Sequence, residues 1–402
     1  MTKALIVGGG IAGPVTAVAL RRLGMDVTLS ESFPRGAHGV GAFLGLAANG
    51  VDALRAVDLG HVVDGLGFAT PAMDFYSGTG RHWGRLPLGN GRGGTTTQTM
   101  RRSDLYAALA DAALQAGVNV QYGKRLVDTR TEADGVRAIF ADGTEEVGDL
   151  LVGADGVRSR TRELIDPEAP QPRYLGLGNA GGFAQGVDVP GEVGVMQMMF
   201  GHDCFFSWTK NPNGEVWWFA NTPAPRELSR EELAAISSEE WRENLIGLVA
   251  RDRSPAKRII RATEDVLAGW NTYDLPTVPT WHSGRTVLVG DSVHAMSPAS
   301  GQGASMAMED AVVLAQCLRD SASIEDAFTT YEATRRDRVE KVVAFGKRSG
   351  DQKAVGSFGR IVRDLTYPFV LNLVARGQAR EDHWLYTHHI EWESPARTFG
   401  YA

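Results

Sequence analysis

The sequence contains very little cysteine, with two residues among 402. Two thiols are too few for a disulfide framework or for a cysteine-based zinc finger. Long apolar runs are also missing, because the nearest candidate, residues 4–20, is interrupted by three consecutive glycines and by Pro14. We therefore expect neither a membrane-spanning helix nor a membrane partner. We also expect no signal peptide of the usual form, because the N-terminus leads almost directly into the apolar residues 4–7.

Basic residues are outnumbered: 41 lysines and arginines stand against 48 aspartates and glutamates, for a net charge of −7. Because nucleic-acid-binding proteins usually carry a basic face, we expect no nucleic-acid partner. Neither an H-E-x-x-H nor a G-x-S-x-G motif occurs, and the adjacent His388 and His389 are poorly placed to share a metal. We therefore expect no metal site and no α/β-hydrolase chemistry. The scarcity of thiols fits a reducing compartment, so we expect a cytoplasmic protein.

Glycine, by contrast, is abundant, with 48 residues, and much of it lies in short motifs. The pattern G-x-G-x-x-G spans residues 8–13, between an apolar strand predicted at 3–7 and a helix predicted at 11–23. A second strand, predicted at 25–30, is followed at once by Glu31. In such a βαβ unit the glycines let a pyrophosphate approach the backbone, and the helix N-terminus attracts its charge. The acid at the end of the second strand can accept hydrogen bonds from a ribose diol.

Two further glycine motifs follow predicted strands. The first, G-A-D-G-V-R-S at residues 153–159, comes directly after the apolar residues 150–152. The second, G-D-S-V-H at residues 290–294, is followed by Pro298 and by G-Q-G-A at residues 301–304. The acid of this motif can hold a polyol, and its later glycines expose N–H groups at the start of a predicted helix.

Taken together and in this order, the three motifs resemble those of the FAD-dependent aromatic hydroxylases, the class A flavoprotein monooxygenases. Similar members include phenazine-, polyketide- and tetracycline-modifying enzymes. The resemblance implies an α/β fold, with a Rossmann-like FAD-binding domain, an inserted antiparallel β-sheet substrate domain and C-terminal helices. We predict an FAD-binding domain from residues 1–70, 101–179 and 276–345, a substrate domain from 71–100 and 180–275, and a C-terminal helical tail at 346–402.

The resemblance also assigns roles to single residues. No protein residue is a firm catalytic candidate, because the flavin carries the chemistry, and Pro298 is expected near the flavin ring. Arg102 matches an arginine that contacts FAD in the family, and Asp155 belongs to a motif linked to both FAD and NAD(P)H. The full predicted cofactor set is Gly8, Gly10, Ile11, Ala12, Gly13, Glu31, Arg102, Asp155, Asp291, Pro298, Gly301, Gly303 and Ala304.

The activity that the resemblance implies is oxygen insertion. NADH or NADPH reduces FAD, O₂ adds to give a C4a-hydroperoxide, and this hydroxylates or epoxidises an aromatic or polycyclic small molecule. Apolar side chains usually line such a substrate cavity. Met and aromatic residues are concentrated at 196–219, and from them we predict the substrate residues Met198, Phe206, Trp208 and Trp218.

Other assignments stay open at this point. An FAD-dependent reductase or a halogenase could use the same scaffold, although no W-x-W-x-I-P-like segment of halogenases is present. A flavin-free NAD-dependent dehydrogenase would need only the first motif. The protein could be a monomer or a homodimer.

Overall fold

The computed structural model describes residues 2–34, 41–88, 94–350, 357–378 and 384–396. Its strands, numbered in chain order, are β1 (Lys3–Val7), β2 (Asp26–Glu31), β3 (Phe43–Leu46), β4 (Gly67–Ala69), β5 (Ala72–Ser77), β6 (His82–Pro87), β7 (Gln98–Arg101), β8 (Asn119–Tyr122), β9 (Leu126–Thr131), β10 (Val136–Phe140), β11 (Glu145–Gly148), β12 (Leu150–Gly153), β13 (Arg173–Ala184), β14 (Met196–Phe200), β15 (Phe205–Lys210), β16 (Val216–Pro223), β17 (Leu267–Asp274), β18 (His282–Ser283) and β19 (Thr286–Leu288). Its α-helices are α1 (Ala12–Arg22), α2 (Ala48–Ala56), α3 (Arg102–Gln115), α4 (Arg160–Ile165), α5 (Arg230–Ala235), α6 (Ser238–Leu248), α7 (Ala256–Arg261), α8 (Asp291–His294), α9 (Gly303–Asp320), α10 (Ile324–Gly350) and α11 (Ser357–Gln378).

A mostly parallel sheet gathers the three glycine motifs. Within the described residues its strand order is β18-β19-β12-β1-β2-β8. β1 pairs parallel with β2 and β12, and β12 pairs parallel with β19. Because parallel strands end at the same edge, Val7, Gly153 and Leu288 lie side by side there. The motif at 8–13 starts directly after β1, and the motif at 290–304 starts shortly after β19. The motif at 153–159 starts with Gly153, the last residue of β12, so all three motifs lie at this edge.

This sheet is buried on both faces, which explains why β1 is apolar throughout rather than alternating. Ala4 and Ile6 belong to the main core, which includes residues of α1, α3 and α9. Leu5 and Val7 point to the other face, where they join side chains of the β9-β10-β11 meander, including Phe140. The three strands of the meander are antiparallel and turn around Gly135 and Gly143.

The second large sheet, which we call the substrate sheet because it lies mostly in the predicted substrate domain, has the order β17-β13-β16-β15-β14-β5-β6 in the described chain. Its pairs are antiparallel except β14 with β5. β13 begins at Arg173, so the predicted boundary at 179/180 falls inside a strand. The early part of β13 was missed because glycine is a weak strand former and Gly176, at φ 68°, interrupts the pairing with β17.

The C-terminal tail is only partly helical. α11 packs beside β6 of the substrate sheet. Residues 384–396 are irregular and place Leu385, Tyr386, Ile390 and Trp392 in the main core. The prediction of a wholly helical tail is therefore wrong for 384–396, while 351–356, 379–383 and 397–402 lie outside the described residues. Among the helices in the described part of the chain, none combines the length and apolarity needed to cross a bilayer.

Candidate active site

The first glycine loop is shaped by close backbone contacts. Gly8 has φ 108°, and a Cβ added there would lie 2.3 Å from the carbonyl oxygen of Ala154. A Cβ at Gly13 would lie 1.9 Å from the carbonyl oxygen of Gly8, so both positions require glycine. A Cβ at Gly10, in contrast, meets no described atom within 4 Å. The loop therefore packs tightly against the protein at Gly8 and Gly13 and is open at Gly10. Gly10 lies beside the start of α1, where Ile11 occupies the N-cap position and no described side chain accepts a hydrogen bond from the first N–H groups of the helix.

Glu31 ties this loop to the end of β2. Its Oε2 accepts a hydrogen bond from the Gly9 N–H at 2.7 Å. Its Oε1 accepts from the Phe33 N–H at 2.7 Å and from the Ser32 hydroxyl at 3.2 Å. The side chain is buried, but a carboxylate has about four acceptor positions, so capacity remains for a ligand hydroxyl. The bond to Gly9 is a role that the sequence analysis missed, because it joins two positions 22 residues apart.

Asp155 is turned toward the start of α4. Its carboxylate accepts from the Ser159 hydroxyl at 2.5 Å and from the Thr161 N–H at 2.9 Å. Burial raises the pKa of Asp155, and these hydrogen bonds only partly oppose it. Its described contacts thus organise the second motif. The fully buried Arg162 then links that motif to the third by donating to the Ser292 carbonyl at 2.8 Å.

The third motif presents an exposed acid on a braced loop. Asp291 is the first residue of α8 and is exposed, after Gly290 at φ 63°. The buried Asp310 accepts from the Gly290 N–H at 2.9 Å and lies 2.5 Å from Nε2 of His294. His294 therefore braces the loop. A Cβ added at Gly303 would lie 3.9 Å from Oδ1 of Asp291, which places the two halves of the motif side by side.

The G-Q-G-A segment forms an open helix start. Pro298 begins a 3₁₀ turn, Pro298–Ser300, and is exposed, as is Gly301. α9 starts at Gly303, and no described side chain caps its N-terminus. Ala304, in the first turn, is half-buried. The free N–H groups of this turn can therefore bind an electronegative ligand atom.

Two adjacent arginines are separated in the structure. Burial would lower the pKa of Arg102, but Tyr106, which accepts a hydrogen bond from its Nε at 2.7 Å, and the Asp291 carboxylate outweigh it and raise the pKa. Arg101 is instead paired with Glu215 of the substrate sheet at 3.3 Å. Arg102, which is predicted to contact FAD, thus lies within electrostatic reach of Asp291.

Behind the loop lies a buried ion cluster that the sequence analysis did not predict. Glu309 accepts from Arg335 at 2.7 Å and from Arg338 at 2.8 Å. Asn49 donates to Glu309 at 2.8 Å and to Gln302 of the G-Q-G loop at 3.0 Å. Burial raises the pKa of Glu309, but the charged neighbours, Arg338 first, hold it well below its usual value. The sequence does contain a signal for this cluster: two adjacent acids, residues 309–310, lie within a largely apolar helix.

Three of the four predicted substrate residues pack beneath two helices. Phe206, Trp208 and Trp218 share one side of the substrate sheet, which we call its outer face, and are at most 3% exposed. They belong to a core cluster with side chains of α6 and α7, and Trp218 donates to the Thr263 hydroxyl at 2.8 Å. Their assignment to a cavity is therefore wrong: they are the packing core beneath two helices.

The opposite side, the inner face of the substrate sheet, includes Met198, Trp217 and Phe219. Trp217 and Phe219 contact the ring of Phe43 in β3, with centroid distances of 5.6 and 5.9 Å. Met198 packs against the same hydrophobic cluster as Phe219 and accepts a hydrogen bond from Ser207. The inner face thus meets the part of the chain that carries β3, and of the predicted set only Met198 lies on it.

Comparison with known proteins identifies this arrangement. A sequence model of the FAD binding domain family matches residues 1–346. Aurachin C monooxygenase/isomerase of Stigmatella aurantiaca is 31% identical over 354 residues, covering 86% of this chain and 88% of the relative. The FAD-dependent urate hydroxylase of Klebsiella pneumoniae is 30% identical over 354 residues, covering 87% and 90%. The chain belongs to the FAD-dependent aromatic hydroxylase family.

A solved structure supports the same fold. HpxO of Klebsiella pneumoniae, in complex with FAD and uric acid, has a TM-score of 0.80 and 25% identity, covering 94% of this chain and 96% of that one. The predicted fold class, the FAD-dependent monooxygenase activity and FAD as cofactor are confirmed for this aromatic hydroxylase. The flavin-free dehydrogenase is thereby excluded.

The residues of this FAD-dependent aromatic hydroxylase fit the cofactor. A pyrophosphate needs a side-chain-free approach to the backbone, and the space at Gly10 beside the open start of α1 offers one. A ribityl chain needs polar partners, and Asp291 is exposed beside the Gly301–Gly303 loop. The sheet edge therefore provides separate places for the two halves of FAD.

Proposed function

We propose that the protein uses NADH or NADPH to insert one atom of O₂ into an aromatic or polycyclic small molecule. The other oxygen atom leaves as water, the nicotinamide supplies two electrons, and one further proton comes from solvent. The observation that carries this proposal is the contact of Phe43 with Trp217 and Phe219. It sets an aromatic wall against β3, and Asn49, a few residues after that strand, donates a hydrogen bond to Gln302 of the third motif. Names of relatives, such as urate hydroxylase, support an aromatic substrate.

The chain's own part in the reaction is to bind and orient. We assign Gly8–Gly13 and Glu31 to the ADP half of FAD, and Arg102, Asp291 and residues 298–304 to the ribityl and ring end. When bound, FAD supplies the redox chemistry between the nicotinamide and O₂. We assign Asp155 to the second motif as an organiser of its loop rather than as a direct ligand.

The inner face favours flat, apolar substrates. The half-buried rings of Phe43 and Phe219 offer stacking and edge contacts to an aromatic guest, and the buried ring of Trp217 packs behind them. Their apolar surface also keeps water away from reactive species. Substrate contacts are therefore proposed for Met198 and Phe219.

The deciding experiment follows labelled oxygen. The protein is purified with FAD and given NADH or NADPH, a panel of phenolic, indolic and polycyclic candidates, and ¹⁸O₂. One ¹⁸O atom in the product is expected, and product oxygen derived from water would contradict the proposal. Product formation without O₂ would indicate the alternative reductase, and a strict requirement for halide would indicate the halogenase.

A further inference from the structure

Helix α11 carries apolar side chains on two opposite sides. On one side Tyr367 and Leu371 pack into a cluster with Phe75, Trp83 and Phe200 of the substrate sheet. The rings of Trp83 and Tyr367 lie 5.2 Å apart. This side therefore anchors the helix to the protein and fixes which side faces solvent.

The opposite side is the apolar stripe. At 100° per residue its members fall within an arc of about 140°, centred away from the anchored side. They are the large hydrophobic residues Val362, Leu365, Phe369, Val370 and Leu373, which are 46%, 63%, 78%, 49% and 73% exposed. Other exposed large hydrophobic residues of the described chain, such as Phe33 and Val193, lie far from this stretch in the sequence. Contiguous exposed apolar patches of this kind usually mark a contact surface.

We propose that the apolar stripe of α11 is the contact surface of a homodimer, covered by the same stripe of a second copy. The stripe exposes on the order of 600 Å² per chain, so two copies would bury on the order of 1,200 Å², the lower end of a specific interface. A two-fold contact places a surface against itself, which requires that the surface carry no net charge of one sign.

The charges near the stripe meet this requirement. Between residues 362 and 373 the charged side chains are Arg363 and Asp364. They pair with each other at 3.0 Å, and Arg363 is buried beneath the helix, beside the ring of Phe200. Two stripes can therefore meet without burying an isolated charge.

The same charges argue against a lipid surface as the occupant. Helices that lie on anionic membranes carry lysine or arginine along the edges of the apolar face. Between residues 362 and 373 the stripe has no such basic edge, because Arg363 is buried, and the other arginines of α11, Arg360 and Arg376, lie outside this segment, toward the two ends of the helix. In addition, the side opposite the stripe packs against the protein's own sheet rather than facing water.

The test is the oligomeric state of the FAD-loaded full chain, measured by sedimentation velocity over a dilution series. We expect a dimer, and we expect Phe369→Glu to raise its dissociation constant by at least about 30-fold, since Phe369 is the most exposed large residue of the stripe. Val193→Glu, at an apolar residue of similar exposure (57%) outside the stripe, should leave the dimer intact.

Each other outcome overturns the proposal. A monomer at every concentration, or a Phe369→Glu dimer as tight as the wild type, excludes this interface. A monomer that binds phosphatidylcholine–phosphatidylglycerol vesicles, and loses that binding in Phe369→Glu, would assign the stripe to a membrane surface instead. If Phe369→Glu does not retain FAD, Phe369→Ser removes the ring without adding a charge and decides the question.

Discussion

Replacing Glu31 by alanine removes the carboxylate that joins the glycine loop to β2. The variant loses the hydrogen bonds from the N–H groups of Gly9 and Phe33, each 2.7 Å long. Of these two, the Gly9 bond lies in the loop that we assign to the pyrophosphate. The change therefore loosens the loop and also removes the acceptor proposed for the ribose of FAD.

The magnitude follows from the number and kind of bonds. A hydrogen bond to a charged group contributes about 1.5–3 kcal/mol, and for one such bond coupled to FAD this is about 10- to 150-fold in Kd. Glu31→Gln keeps one acceptor oxygen without the charge. Its effect on the free energy of FAD binding should therefore lie between those of the wild type and Glu31→Ala.

Fluorescence titration of FAD into the apoprotein measures the effect. The control is Glu132→Ala, which removes an acid of the meander that pairs with Arg137 at 2.6 Å, far along the chain from the glycine loop. FAD affinity in this control should equal that of the wild type. If Glu31→Ala binds FAD as tightly as Glu132→Ala, the assignment of Glu31 to the cofactor site is wrong. If Glu31→Ala does not fold, Glu31→Gln carries the comparison.

Three further predictions follow from the site. Gly10→Val should abolish FAD retention, read from the visible spectrum of the purified protein, because its side chain fills the open space in the loop. Glu309→Gln should lower the free energy of unfolding by about 3 kcal/mol or more, whereas Glu340→Gln, at an exposed pair, should change it by less than about 1 kcal/mol. Because the folded pKa of Glu309 is depressed, its contribution is present above the usual value of 4.5 and is lost as pH falls, so thermal melts of wild type and Glu309→Gln should converge in acid. Phe219→Ala should raise the peroxide formed per NAD(P)H consumed with substrate present, whereas Trp218→Ala should mainly lower stability, as differential scanning fluorimetry would show.

The sequence predicts the cofactor edge well because its signals are local. An apolar run, a glycine turn and an amphipathic helix lie within about 30 residues, the span of one βαβ unit. β1 has the bounds predicted for it, and α1 differs by one residue at each end. The three motifs meet because parallel strands end at one edge, which is a rule of topology rather than of composition.

The orientation of the substrate sheet could not be predicted in the same way. Alternation separates Phe205 and Ser207 from Phe206 and Trp208, but alternation does not say which set faces the cofactor. The answer depends on α6 and α7, which cover the outer face from a later part of the chain. The break between α5 and α6 did have a local signal, the Ser237–Glu240 capping box, and the sequence analysis missed it.

The order of strands has a consequence for synthesis on the ribosome. The last strand of the substrate sheet, β17, ends at Asp274, so that sheet can close while the parallel sheet still lacks β19, Thr286–Leu288. α1 packs against α9, which begins almost 300 residues later in the chain. The core behind the first glycine loop is therefore incomplete until α9 has been synthesised. Nascent chains released before residue 286 should therefore expose the apolar edge of β12 and bind chaperones, while longer chains should not.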